Sequence, residues 1–301
     1  MNSRYASVTF KKIKLSHMLM HLIFIIFLIL YVIPLLLVIS ISLSDETTIV
    51  QNGFKLIPQQ FSLEAYKFIF VNPEILINAY AVTITITVLG VFFGTLFTAM
   101  LAYSLSRNNY AYKKSTTLYV FFTMLFNGGL VPWYILITKY LHMQDTIFAL
   151  FVPSLIVPFF ALLLKGFLTS IPESIFESAK IDGANELFIF FRIVIPLSTP
   201  ALATVGLFYT LLFWNNWFLG MLFIENPKLV PLQLLLYRIM STIAYLNENI
   251  SKGNVGRLVI KLPGQTARMA LCVMAAGPML FAFPFFQKYF VKGLVVGAVK
   301  G

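Results

Sequence analysis

Residues 177 to 196 read ESAKIDGANELFIFFRIVIP, and the first seven of them set Glu177, Lys180 and Asp182 around the small Ser178 and Ala179, with Gly183 closing the group. Such a mixture of charges on a small-residue backbone can meet a complementary surface closely. It does not make a catalytic centre, because no set of acid, base or metal ligands accompanies it. His17 and His21 are four residues apart, on one face of a helix, yet no third ligand joins them, and His142 lies far along the chain. An interfacial role suits that pair better than metal binding. The chain has no G-x-x-x-x-G-K-[ST] phosphate loop, no H-E-x-x-H and no G-x-S-x-G, so neither nucleotide hydrolysis nor those hydrolase chemistries are expected of it. Cys272 stands alone, which excludes an intrachain disulfide and leaves packing as its expected role.

The elements that hold this charged group can be read locally. Ser170-Ile171-Pro172-Glu173 has the spacing of a capping box, with proline tolerated in the first turn, so a short helix is expected to start near Ile171. Gly183 is placed to end it in left-handed geometry. A second helix is expected from about Asn185, with Leu187, Phe190, Phe191 and Val194 forming an apolar stripe. The product is helix, sharp turn, helix at a membrane surface, presenting Glu177, Ala179, Lys180 and Asp182 to water. Two readings fit these residues: an amphipathic interfacial linker, or a docking surface.

A membrane is required by the rest of the chain. Only 11% of its 301 residues are charged and 59% are hydrophobic, too little polar surface to wrap one soluble core. Stretches 15–44, 75–106, 115–138, 146–164, 193–224 and 269–287 contain no Asp, Glu, Lys or Arg. Each reaches about the 18 residues that a helix needs to cross hydrocarbon, where every backbone amide must be satisfied internally. The expected fold is an all-α integral membrane protein of six spans, near 15–44, 75–106, 115–138, 146–164, 196–224 and 267–287, making one transmembrane domain over 1–301 with the charged loop at 170–192. Arg4, Lys11, Lys12 and Lys14 ahead of the first span resemble a signal peptide, but the apolar run continues from Met18 to Leu43, beyond the roughly 7 to 15 residues of a signal core, and an uncleaved anchor is expected.

The basic excess, +11, follows topology rather than a nucleic-acid patch, since the cations lie between apolar spans. Thirteen of the 22 Lys and Arg fall on the side shared by both termini, 107–114 and 165–192. That side is expected to be cytoplasmic, and the charged loop with it.

The opening stretch also carries a resemblance. Glu177-Ser178-Ala179, three residues, Gly183, nine residues, then Ile193-Val194-Ile195-Pro196 is similar to the signature of ABC-importer permease subunits, on the cytoplasmic loop before the penultimate span. Ser178 stands for an alanine and Ile195 for a leucine. IDGA, PLSTPALATV and WNNW resemble the sugar-transporting branch, similar to the second permease of maltose-type importers, and NGGLVPWYIL and QKYFVKGLVVGAVKG resemble the subgroup for complex oligosaccharides. The resemblance covers nearly the whole chain, least at 50–74 and 225–263. It implies that Glu177, Ser178, Ala179, Lys180, Asp182 and Gly183 dock a separate ATPase that binds the ATP and Mg, this chain holding no cofactor. It further implies a second homologous permease, two ATPase subunits, an extracytoplasmic solute-binding protein and a bacterial cell membrane.

For such a cargo, sugar hydroxyls call for amides and aromatic faces, and the fifth span offers Tyr209, Trp214, Asn215, Asn216 and Trp217 as a candidate substrate path. Interface anchoring and helix packing are the competing roles. Gly90-x-x-x-Gly94 allows a close helix approach, and Pro153, Pro158, Pro278 and Pro284 are expected to kink their helices. Loop 225–266 either reaches the binding protein or caps the bundle. Alternatives are a permease for another importer substrate, a secondary transporter, for which repeated halves and intramembrane charges are missing, or a membrane enzyme, for which a catalytic constellation is missing.

Overall fold

The computed structural model describes residues 15–251 and 264–298. The charges Arg4, Lys11, Lys12, Lys14, Lys252, Arg257, Lys261 and Lys300, counted above for topology, lie outside the described residues. Helices make up the architecture: α1 (Leu15–Ser42), α2 (Glu46–Asn52), α3 (Glu64–Ile69), α4 (Pro73–Ser106), α5 (Lys113–Leu125), α6 (Leu130–Ile135), α7 (Pro158–Thr169), α8 (Glu173–Ile181), α9 (Glu186–Ile189), α10 (Ile195–Leu197), α11 (Thr199–Trp214), α12 (Phe218–Phe223), α13 (Leu232–Ser251) and α14 (Gln265–Ala298). Among the described residues a single antiparallel bridge joins Ser44 to Phe61.

Three of the helices, α1, α4 and α14, are long and apolar enough to cross a bilayer unbroken. The other three expected spans are bent pairs: Lys113–Leu125 with Leu130–Tyr140 at 111°, Ile147–Ser154 with Pro158–Thr169 at 48°, and Glu186–Leu197 with Thr199–Trp214 at 83°. The fifth span thus starts and ends earlier than expected from charge-free length. Its partner α12 follows only after a non-helical step at Asn215 to Trp217.

Each break has a local cause. Gly129, with φ 91°, sits in a region that L side chains avoid, and its N–H donates to Asn127 Oδ1 at 2.9 Å. Pro158 starts α7 and holds Val157 extended (φ −97°, ψ 115°). At the third break, Pro200 has no N–H to offer, and the Thr199 hydroxyl instead donates to Pro196 O at 2.8 Å. Pro153 lies in a 3₁₀ turn, and α14 contains Pro278 and Pro284 without a break in its helical run.

The chain forms two compact units. The first takes residues up to Ile69 with 260–273. Every side chain of α1 from His17 to Leu36 is exposed, as suits a helix surrounded by lipid or another subunit rather than by its own chain. Asp45 caps α2 by accepting from Thr48 N at 3.1 Å; the Thr47 hydroxyl, together with that N–H, holds its carboxyl below the usual range. Glu46 accepts from Gln265 N (2.8 Å), Thr266 N (2.9 Å) and Thr266 Oγ1 (2.7 Å), a carboxylate placed at the positive end of α14.

The second unit, 70–259 with 274–301, is built around α4. Gly90 and Gly94 turn a bare backbone stripe toward α11: a Cβ at Gly90 would lie 2.5 Å from the Phe213 ring, and one at Gly94 3.0 Å from Tyr209. The GxxxG spacing therefore serves packing within the chain. On this seam and against α7 lie Ala99, Ala102, Leu164, Leu168, Val205, Tyr209 and Phe213, all buried. A second core gathers Ile86, Leu150, Phe223 and Leu234. Within the 225–266 segment lies α13, which buries Leu232, Leu234 and Leu236 in its first turns and Ile243 farther along. Its polar continuation from Lys252 lies outside the described residues.

Candidate functional site

The charged segment folds as helix, turn, helix, though not with the expected cap. Helix α8 begins at Glu173 after Pro172, and Ser170 Oγ donates backward to Phe167 O at 2.7 Å, so the capping box does not form. Proline in the β region starts the helix in its place. The end agrees with the sequence: Gly183 has φ 82°, its N–H donates to Lys180 O at 3.0 Å, and Ala184 N donates to Ala179 O at 2.9 Å. That pair of bonds is a Schellman stop. Asn185 then caps α9, accepting from Phe188 N at 2.8 Å.

Glu177, Ser178, Lys180, Asp182 and Gly183 are exposed and Ala179 is half-buried. The side that faces inward is carried by Phe176, which is buried. In the following helix the buried residues are Ile189, Phe190 and Val194, while Leu187 and Phe191 of the expected stripe are exposed. A π-helical turn from Phe190 to Val194 rotates the apolar side away from the 3.6-residue pattern.

Five residues not singled out by their spacing, Tyr103, Arg107, Asn108, Phe176 and Glu186, pin this segment to the end of α4. Tyr103 Oη donates to Glu186 Oε2 at 2.5 Å, and Lys180 Nζ lies 2.6 Å from Glu186 Oε1. The Arg107 guanidinium sits 4.2 Å from the Phe176 ring centroid and 5.9 Å from that of Tyr103. Arg107 is only 7% exposed, with its Nε buried and unpartnered. Asn108 Nδ2 adds a bond to Glu173 Oε2 at 2.7 Å. The one available signal was Arg107 itself, a cation directly after a span; its contact with an aromatic ring 69 positions later has no local trace.

The candidate path residues divide into two groups. Tyr209 is fully buried: its hydroxyl donates to Leu155 O at 2.9 Å, accepts from Val157 N at 3.2 Å and lies 2.7 Å from Thr98 Oγ1. It supplies the bonds that the break before Pro158 removes. Trp214 is buried with Nε1 donating to Ala275 O at 2.9 Å. Asn216 is buried, donating to Leu150 O at 2.6 Å and accepting from Leu219 N at 3.2 Å. Asn215 and Trp217 are exposed, and Trp217 stacks on Tyr237 with centroids 5.3 Å apart. The exposed pair alone presents groups to an open face.

Among the described residues no three His, Cys, Asp or Glu side chains converge as a metal site. Cys272 is a free, exposed thiol.

Comparison with known proteins adds what geometry does not carry. The family model described as binding-protein-dependent transport system inner membrane component matches residues 94–296. Over 290 residues, 96% of this chain and all of the relative, the sequence is 38% identical to the polygalacturonan/rhamnogalacturonan transport system permease protein YtcP of Bacillus subtilis (strain 168). It is 26% identical over 274 residues, covering 90% of this chain and 91% of the relative, to the arabinooligosaccharides transport system permease protein AraQ of Halalkalibacterium halodurans. A crystal structure of a bacterial ABC transporter involved in the import of the acidic polysaccharide alginate contains a chain similar to this one, with TM-score 0.77 and 26% identity, covering 96% of this chain and 100% of that one.

Proposed function

The chain belongs to the family of binding-protein-dependent transport system inner membrane components, and from that premise we propose that it is the permease of an importer for oligosaccharides, using Glu177 to Gly183 to dock its ATPase. As a permease subunit it is a multi-pass protein of the cytoplasmic membrane, works with an ATPase and a binding protein, and is not itself the hydrolytic enzyme. A second, related permease completes the path, two ATPase subunits drive it, and both termini face the cytoplasm. The 1–301 chain acts as one permease domain.

The observation that carries the docking role is a short helix whose polar side is exposed, stopped by Gly183 and fixed from beneath by Tyr103 and Arg107. A linker needs no such fixing; a helix that receives a push from a partner does. An oligosaccharide cargo is supported by relatives named for polygalacturonan, rhamnogalacturonan and arabinooligosaccharides, and by the alginate importer. Polygalacturonan and alginate are acidic, which makes uronate-containing oligosaccharides the first class to test. Asn215 and Trp217 are the side chains we assign to sugar contact. The assembled complex, reconstituted in vesicles with its binding protein, should show ATP hydrolysis stimulated by oligosaccharide-loaded binding protein and uptake of the same oligosaccharide. Stimulation by amino acids or metal chelates, with none by any oligosaccharide, would reassign the cargo.

A further inference from the structure

A groove of about 660 Å³ opens beside the third and fourth candidate spans, lined by Ala111, Lys113, Lys114, Thr117, Leu118, Phe121 and Lys165. Its wall is apolar and its rim is not: three lysines converge where α5 starts and α7 ends. The exposed Leu118 and Phe121 form the floor.

These lysines are badly placed for an isolated chain. Lys113 and Lys114 occupy the first turn of α5, which carries no acidic residue and has no side-chain cap at Tyr112, so two cations add to the positive end of a helix. Lys165 is half-buried within the apolar sequence PFFALLLKGFLT, and its ammonium makes a bond to Thr117 Oγ1 at 3.2 Å. Lys113 Nζ donates to Asn108 Oδ1 at 3.0 Å and Ser106 O at 3.3 Å. Among the described residues no carboxylate lies within 4 Å of any of the three. A cation half-sunk in a span is costly without an anion.

We propose that this groove binds one anionic glycerophospholipid, with an acyl chain against Leu118 and Phe121 and the phosphodiester held by Lys114, Lys165 and the remaining N–H of Lys113. The charge is complementary, the apolar wall faces hydrocarbon, and the rim lies where two spans meet the membrane surface, the level at which basic pockets between helices take lipid headgroups. The bound lipid would tie α5 to α7, beside the loop that leads into α8. This inference needs only the membrane placement of the chain and stands apart from the choice of cargo.

The test uses the intact transporter in phosphatidylcholine nanodiscs, with and without phosphatidylglycerol, read by native mass measurement of retained lipid. Wild-type protein should keep one more phosphatidylglycerol than the double variant Lys114→Gln/Lys165→Gln, retention weakening roughly fivefold for each lysine removed. Lys165→Arg should keep the lipid. Leu118→Trp, which retains all charges and fills the groove, should lose it. All variants should assemble and unfold like wild type in phosphatidylcholine alone. Equal phosphatidylglycerol retention by wild type and the double variant would overturn the proposal. So would loss of ATPase binding by that variant in phosphatidylcholine with lipid retention unchanged, which would give the face to a protein partner.

Discussion

Tyr103 Oη and Glu186 Oε2 are 2.5 Å apart, joining the last turn of α4 to the first residue of α9. Lys180 holds the other oxygen of the same carboxylate. One side chain therefore ties the exposed helix α8 to the helix that packs along α11 and α7, so on the proposed docking role a displacement of α8 would pass to the core of the bundle. Tyr103→Phe keeps the ring against Phe176 and Phe190 and removes only the hydroxyl. Glu186 is about half exposed, so the loss should be about 1 kcal/mol of stability. The larger effect should be functional: reconstituted complexes should hydrolyse ATP with weaker dependence on loaded binding protein. Unchanged stimulation would show that the bond does not transmit.

Gly183 tests the docking helix through backbone strain alone. No atom lies within 4 Å of a Cβ built there, so a side chain would meet open space, but φ is 82°. Gly183→Val should cost more than about 1 kcal/mol and reorient α8, and Gly183→Ala should do so to a smaller degree. Both should insert in the membrane normally and bind ATPase less, measured by co-purification. Normal ATPase recovery with Gly183→Val would return residues 177–183 to the interfacial-linker reading.

The six candidate spans were legible because charge-free length is a property of the sequence alone. Of the three bends, the one before Pro158 was legible from the proline, whereas those at Gly128-Gly129 and before Pro200 were not, since a break inside an apolar run changes neither charge nor hydropathy. The Schellman stop at Gly183 was legible for the opposite reason, being local. What pins it was hidden: Arg107 and Phe176 meet only in the folded chain. Glu46 at the start of α14, 219 positions away, is a further case.

Tyr209 looked like a sugar-binding aromatic and is instead buried at the break in the fourth span. Tyr209→Phe leaves Val157 N and Leu155 O, both part-buried, without this partner. Destabilisation of about 1 to 3 kcal/mol is expected, seen as a lower thermal midpoint of the purified complex. A variant with wild-type stability and altered sugar preference would restore Tyr209 to the path.

Gly90 sets the distance between α4 and α11. Gly90→Ala puts a methyl 2.5 Å from the Phe213 ring, which is fully buried and cannot step aside freely. Overpacking of about 1 to 3 kcal/mol is expected, with lower yield of assembled complex. Pairing it with Phe213→Leu should recover part of that loss, because the ring is what the methyl meets. Absence of recovery would mean that the strain lies elsewhere on the seam.

Trp217 and Asn216 are neighbours with opposite expected behaviour. Trp217 exposes part of its indole while stacking on Tyr237, so its loss leaves no buried group unpaired. Asn216 is buried, bonded to Leu150 O and capping the start of α12 through Leu219 N. Trp217→Ala should therefore preserve assembly and weaken oligosaccharide uptake, by roughly fivefold if an aromatic contact of about 1 kcal/mol is lost. Asn216→Leu should lower stability first, with uptake falling in proportion to assembled protein. Transport assays at matched complex concentration separate the two effects. Normal uptake by Trp217→Ala would remove this side chain from the substrate path, whereas a specific uptake defect in fully assembled Asn216→Leu would extend the path into the turn between α11 and α12.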